Sequence, residues 1–363
     1  MKILYLITGL GGGGAEKVVV DLADQFFEQG HTVTIAYLTG DIIIRPKNKD
    51  ILIYKLGLDN FTNIICAYKN YNKLIEDFKP DIVHSHMVHA NIFSRICRIF
   101  ITVPYLICTA HSKNEGGKLR MLAYRFTHSL ANLTTNVSKD ATQNFIKLKA
   151  VPDCDIKTVY NGVDLEKFKL IDLDRNNIRD DLKISYDIPL FLAIGRFHEA
   201  KDYPNLIEAF SIICNQMNFI PILLIAGDGN LQSDIESLIN YKGLQKNIFL
   251  LGRREDIVQL IVSSDYFVLS SKYEGLPTVV IEAMACETFV IATDCGGSKE
   301  ILGETGILVP IENSEALAKG LEQAMSRTED QIRENGRLAR KRVEELFSLE
   351  ASVDKWLKLY EAK

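Results

Sequence analysis

Apolar and polar positions along this 363-residue chain alternate in two registers. Short runs of β-branched and aliphatic residues at 3–7, 32–37, 51–56, 81–85 and 105–109 read as strands, and the longer stretches 16–29 and 64–78 place apolar residues on one helical face. Strand and helix in alternation mean a parallel sheet covered on both sides, because parallel neighbours need a crossover between them. The series lapses after Asp164 into a polar, Asp- and Asn-rich segment, 172–181, and then resumes. Strands are expected at 190–194, 222–226, 248–251, 266–269 and 288–292, with helices near 203–216, 231–241, 255–263 and 278–286. The pattern predicts an α/β protein of two doubly wound parallel-sheet domains, 1–170 and 185–345, with a junction between about 168 and 188. Ligands are expected in a cleft between them, at the carboxyl ends of strands. A last stretch, 348–363, has helical spacing and is expected to pack back on the first domain.

Composition narrows the class. Apolar content of 47% and charged content of 25% are those of an ordinary globular protein, and the length suffices for two cores. The apolar run 3–7 is too short for a signal-peptide core, and no segment approaches the ~18 apolar residues of a membrane span, so a cytoplasmic location is expected. Seven cysteines without a C-x-x-C pair argue against a disulfide framework or a zinc site and read as small core residues. The net charge of −5 is divided unevenly: 20 basic against 16 acidic residues in 1–168, and 22 against 31 in the remainder. That balance excludes a nucleic-acid-binding domain. It leaves a basic group, Arg95, Arg98, Lys118, Arg120 and Arg125, able to lie against the inner, anionic face of the cell membrane.

The densest chemistry lies in Glu274-Gly275-Leu276-Pro277, followed by Thr278 to Ile281 and Glu282. The fixed φ of Pro277 suits the first helical position, so a helix is expected to open there and carry Val279 to Ala285 into the core. Its unpaired amides and dipole favour an anion, while the carboxylates of Glu274 and Glu282 are acceptors suited to polyol hydroxyls. Gly195-Arg196 closes a strand and Lys201 follows in the next loop. Two cations there would suit a diphosphate, each contact at 4 Å being worth roughly 4 kcal/mol before desolvation.

Near the amino terminus, Gly9 to Glu16 contains G-x-G-x-x-G after a strand and before a helix. A dinucleotide site also needs an acidic residue closing the second strand, where Ala36-Tyr37-Leu38-Thr39 stands instead, so a dehydrogenase is disfavoured. The glycines still allow close backbone approach to a phosphate or sugar. His111, just past the strand 105–109, would present a neutral imidazole to a sugar hydroxyl, and His84, His86 and His89 would line the same rim. No carboxylate or cysteine stands beside them at ligand spacing, which argues against a metal. Asp153-Cys154-Asp155 and Asp172-Leu173-Asp174 have the form of D-x-D clamps but fall outside strand-end loops and read as solvated turns. Hydrolase triads and P-loops lack their required context.

Gly13-Gly14-Ala15-Glu16, His111, Asn161-Gly162-Val163-Asp164, Gly195-Arg196 with Lys201, Gly227-Asp228-Gly229, Leu251-Gly252-Arg253 and Glu274 to Glu282 occur in one order. In that order the chain resembles glycosyltransferase family 4, the retaining GT-B enzymes, over nearly its whole length. The resemblance implies twin Rossmann-like domains, a nucleotide-sugar donor held by the second and a saccharide acceptor on the first. It assigns His111, Arg196, Lys201 and Glu274 to catalysis. Donor contacts would come from Gly13, Gly14, Arg196, Lys201, Gly227, Arg253, Glu274, Gly275, Leu276 and, on the ribose, Glu282; acceptor contacts would come from Glu16, His86, Lys118 and Arg120. It implies no cofactor and no divalent metal. The Glu-Gly-Leu-Pro form is similar to that of bacterial polysaccharide enzymes using UDP-sugars, which implies a polyprenyl-linked acceptor. A hydrolysing nucleotide-sugar epimerase of the same fold and a non-catalytic nucleotide-sugar sensor are the alternatives; product analysis with and without acceptor separates them.

Overall fold

The computed structural model describes residues 1–170, 177–216 and 221–362. It divides into two compact units, Met1–Gly162 with Leu349–Lys363, and Val163–Ser348. The division falls ahead of the expected 168–188 interval, and the segment 172–174 lies outside the described residues.

In the first unit, strands β1 (Lys2–Ile7), β2 (Thr32–Tyr37), β3 (Leu52–Lys55), β4 (Ile82–His86), β5 (Leu106–Ala110), β6 (Leu133–Asn136) and β7 (Ile156–Thr158) form one parallel sheet, ordered β3-β2-β1-β4-β5-β6-β7. Helices α1 (Gly14–Glu28), α2 (Ile64–Phe78), α3 (Val88–Cys97), α4 (Lys118–Thr127) and α5 (Lys139–Lys147) connect them. Side-chain alternation explains why β1 is apolar throughout: Ile3, Tyr5 and Ile7 pack with α1, while Leu4 and Leu6 face the opposite layer with Tyr71 of α2 and Phe93 of α3.

The second unit contains α6 (Asn177–Asp181), β8 (Leu190–Ile194), α7 (Tyr203–Gln216), β9 (Ile222–Ala226), α8 (Gln232–Tyr241), β10 (Ile248–Gly252), α9 (Ile257–Ser263) and β11 (Tyr266–Leu269). It continues through α10 (Thr278–Ala285), β12 (Phe289–Thr293), α11 (Ser298–Leu302), β13 (Ile307–Val309), α12 (Ser314–Met325) and α13 (Glu329–Leu346). Its parallel sheet is ordered β10-β9-β8-β11-β12-β13. Phe191, Phe210, Ile225 and Leu317 centre the core on one of its faces, each burial worth ~1.5–3 kcal/mol.

The closing helix α14 (Leu349–Glu361) belongs to the first unit, where Val353, Trp356 and Tyr360 join the β1 core. Tyr360 hydroxyl lies 2.6 Å from His84 Nδ1 and 3.3 Å from Tyr5 hydroxyl, all of them buried. His84 Nε2 meets Thr109 Oγ1 at 2.7 Å, so its ring is a satisfied core group. β6, β7, β13, α4 and α5 are additions to the pattern read from the chain: the strands are only three or four residues long, and the helices are short, ten and nine residues, and rich in polar side chains.

Candidate functional site

Each unit gathers polar side chains at the carboxyl edge of its sheet where strand order reverses, the place at which outgoing loops splay apart. In the second unit the reversal lies between β8 and β11. Gly195 and Arg196 leave β8, and a 3-10 turn, Glu199–Lys201, follows. That turn is tied to the exit of β11: Ser270 Oγ donates to the Lys201 carbonyl at 2.8 Å, and the Lys272 amide donates to the Ala200 carbonyl at 2.8 Å. Lys201 Nζ is thereby brought to 2.7 Å from Glu274 Oε1, which also accepts from Ser271 Oγ at 2.8 Å. The two side chains are 20% and 17% exposed.

Glycine permits this convergence. A Cβ on Gly195 would stand 2.7 Å from Lys201 Cε, so the lysine stem lies across bare backbone. Gly227, at φ +151°, follows β9, and a Cβ there would fall 2.0 Å from the Gly195 carbonyl oxygen. From the other side the Gly297 amide donates to the Gly275 carbonyl at 2.9 Å. Loops from β8, β9, β11 and β12 thus meet around one Lys–Glu pair.

Beyond Glu274, Gly275 and Leu276 are buried, and Pro277 is the residue before α10, with φ −71° and ψ 94°. Expected at the first helical position, Pro277 instead takes the cap, because its extended ψ delays the helix to Thr278. No side chain caps the helix start, and with the Val280 amide already donating to the Pro277 carbonyl at 3.0 Å, the Thr278 and Val279 amides are the ones left to an anion. Glu282, a turn into α10, is 5% exposed. Arg196 is exposed, and its guanidinium takes no partner among the described residues. Arg253 is exposed after β10, the edge strand of the sheet, two strands from β8.

In the first unit the reversal lies between β1 and β4. The loop after β1 ends at Gly13, the cap of α1, where Glu16 folds back so closely that a Cβ on Gly13 would meet its Oε2 at 2.6 Å. With its own carboxylate at the helix start, the Gly13-Gly14 loop suits sugar hydroxyls better than a further anion. β4 ends at His86, which is fully buried, and its Nδ1 lies 3.0 Å from Nε2 of His111, the residue after β5. Burial pushes the His111 imidazole down to about 4 and His86 well below its usual range, so both rings are neutral at pH 7.

The expected row of rim histidines is corrected. His84 and His86, two residues apart on β4, share one face of the sheet and are both fully buried, His86 against His111, while His89 is exposed on α3, which begins at Val88. Among the described residues no three His, Cys, Asp or Glu side chains cluster as metal ligands. Asp153-Cys154-Asp155 forms an exposed 3-10 turn.

The basic group is corrected as well. Arg95 is completely buried, donating to Thr134 Oγ1 at 2.7 Å and stacking 4.7 Å above the Tyr124 ring, since α3 turns it inward. Arg98 donates to the Leu130 carbonyl at 3.0 Å. Lys118, Arg120 and Arg125 are exposed, Arg120 donating to the Glu115 carbonyl at 2.7 Å. Around α2 and α3 the surface is apolar instead: Ile65 is 66% exposed and Phe100 74%.

Three residues escaped the sequence reading. Glu115, buried, accepts from the His111 and Ser112 amides at 3.0 Å each, and burial pushes its carboxyl up. Ser271 orients Glu274, and Tyr203 hydroxyl donates to the Gly195 carbonyl at 2.9 Å. For Glu115 the signal was present in the Gly116-Gly117 pair that follows it, a turn close behind His111.

A model described as Glycosyltransferase Family 4 matches residues 12–167, and one described as Glycosyl transferases group 1 matches residues 174–339. The chain is 31% identical over 281 residues to an uncharacterized glycosyltransferase of Methanocaldococcus jannaschii, covering 72% of this chain and 66% of the relative. It is 28% identical over 304 residues to the UDP-Gal:alpha-D-GlcNAc-diphosphoundecaprenol alpha-1,3-galactosyltransferase of Escherichia coli, covering 79% and 77%. The crystal structure of Anabaena HepE in complex with UDP and glucose has the same fold, with a TM-score of 0.84 at 19% identity and 100% of both chains covered. Fold and matches together define a glycosyltransferase of the GT-B fold. The chain belongs to glycosyltransferase family 4.

Proposed function

We propose that this enzyme moves a sugar, with retention of anomeric configuration and without a divalent ion, from a UDP-sugar to a polyprenyl-linked saccharide during bacterial surface-polysaccharide synthesis. The observation that carries the reading is the Lys201–Glu274 pair, held at 2.7 Å beside the uncapped start of α10 with Arg196 exposed close by in sequence. Arg196, Lys201 and the α10 amides answer the charge of a departing diphosphate, Glu274 accepts from donor-sugar hydroxyls, and Glu282 from the ribose. On one face of the sugar, the acceptor oxygen bonds to C1 as the C1–O bond to the diphosphate breaks. The acceptor's proton passes to the leaving phosphate oxygen. No side-chain nucleophile is required.

The UDP and lipid-linked assignments draw support from the Escherichia coli relative, whose name specifies UDP-Gal and a diphosphoundecaprenol acceptor, and from the UDP held by Anabaena HepE. Among the described residues no helix is long and apolar enough to cross a membrane. Contact with the inner face of the cell membrane is assigned to the exposed apolar edge at Ile65 and Phe100, with Lys118 and Arg125 offering positive charge. The experiment is a thermal-shift screen of UDP- and GDP-sugars, followed by transfer assays of hits onto polyprenyl-diphosphate saccharides. Glycosylated lipid with unchanged anomeric configuration is expected. Isomerised UDP-sugar without acceptor, or binding without turnover, would sink the proposal.

A further inference from the structure

His86 and His111 present a protonation problem with few solutions. His86 Nδ1 lies 3.0 Å from His111 Nε2, the rings are tilted by 35°, and one nitrogen of the two must carry the shared proton. The remaining nitrogen of His86, Nε2, is buried and has no partner among the described residues. The remaining nitrogen of His111, Nδ1, also has no protein partner among the described residues, but it is not sealed in as His86 Nε2 is.

Two arrangements of neutral rings are possible. If His111 donated through Nε2–H, His86 would hold its own proton on Nε2, an orphaned buried N–H. If His86 donates through Nδ1–H, the buried orphan is a bare lone pair, which proteins tolerate better than an unpaired donor. We propose that His86 is a positioning residue that fixes His111 as the Nδ1–H tautomer, so that His111 meets the substrate as a hydrogen-bond donor and not as a base.

The surroundings hold this geometry. Glu115 accepts the His111 amide and pins the start of its loop. Immediately after His86, Met87 has φ 72° and ψ 154°, a conformation rare outside glycine, and its amide is bound to the Thr109 carbonyl at 3.1 Å. Burial keeps both imidazoles uncharged at neutral pH, so neither ring carries a second proton that would erase the distinction. A donor at this point would hold a sugar hydroxyl oxygen without removing its proton, in keeping with proton transfer to the leaving phosphate.

The inference rests on the transferase reading for its catalytic consequence, whereas the tautomer can be read without turnover. The full chain, labelled with 15N-histidine, is examined at neutral pH by two-bond 1H–15N correlation, His111 being assigned from the signal lost in His111→Asn. Protonated Nδ1 and bare Nε2 are expected; protonated Nε2 or an imidazolium overturns the proposal. His86→Leu should shift His111 toward the Nε2–H form and lower kcat about tenfold, the loss of one hydrogen bond, with donor KM within about twofold. His86→Asn, whose amide N–H replaces Nδ1–H, should restore both. An unchanged tautomer in a folded His86→Leu also overturns it, and if that variant does not fold the wild-type spectrum decides. Absence of sugar transfer by the wild type refutes the transferase reading alone, leaving the tautomer result standing.

Discussion

Replacing Lys201 by Met removes one charge and keeps most of the stem that crosses Gly195. In the ligand-free protein the charge faces Glu274 at 2.7 Å. Coulomb's law at an effective dielectric of ~20 gives roughly 6 kcal/mol at that separation before desolvation is subtracted. Exposed pairs net ~0–1 kcal/mol and breaking fully buried ones costs ~3–5 kcal/mol; at about one-fifth exposure, with Ser271 still bonded to Glu274, a loss of ~1–2 kcal/mol of stability is expected. Catalysis should suffer more. The departing diphosphate gains charge as the glycosidic bond breaks, so the cation contributes most in the transition state, and ~3 kcal/mol is expected there, about a 150-fold fall in kcat/KM. The assay is steady-state transfer from the best UDP-sugar, with urea unfolding measured alongside. Adding Glu274→Gln should give a coupling of at least about 1 kcal/mol in unfolding, because both changes break one pair. A Lys201→Met enzyme within threefold of wild-type kcat/KM would refute the diphosphate assignment, whatever its stability.

Glu282→Ala should weaken UDP binding at least about tenfold through loss of a charge-assisted bond to ribose, and calorimetry showing full affinity would contradict that role. Gly227→Ala, forced against the Gly195 carbonyl at φ +151°, should lower unfolding free energy by ~3 kcal/mol, seen as an earlier urea midpoint. The neutral core and loop histidines predict acid sensitivity. His111 is held at about 4 against ~6.5 unfolded, so the unfolded state binds more protons in that window and stability, complete above pH ~6.5, declines as pH falls toward 4, by on the order of 1.4 kcal/mol per pH unit for this group. A urea midpoint independent of pH from 7 to 4.5 would contradict the burial of these rings. Ile65→Asp with Phe100→Asp should abolish co-sedimentation with anionic liposomes while sparing UDP affinity; retained co-sedimentation would place the membrane edge elsewhere.

The strands 190–194, 222–226 and 266–269 and the helices 64–78 and 203–216 were legible to the residue, because burial on both faces of a sheet demands continuous apolar runs and a one-sided helix demands its own period. Short edge strands such as Ile307–Val309 lacked the length for either pattern. The polar residues gathered at the second reversal were also visible, as cations after one strand and carboxylates around a proline turn. Their pairing was not. Lys201 meets Glu274 across 73 positions because β8 and β11 are neighbours, an adjacency set by the order in which strands assemble and by glycine backbones that let four loops touch. The direction of a side chain was likewise beyond a linear reading: Arg95 looked like a surface cation and lies wholly buried, and His86 looked like a rim ligand and stands behind His111. Local chain composition determined which elements form and which functional groups sit at their ends. Only packing of the sheets decided which of those groups face one another and which are shut away from water, since proximity between distant residues is a property of the assembled layers and not of any segment within them.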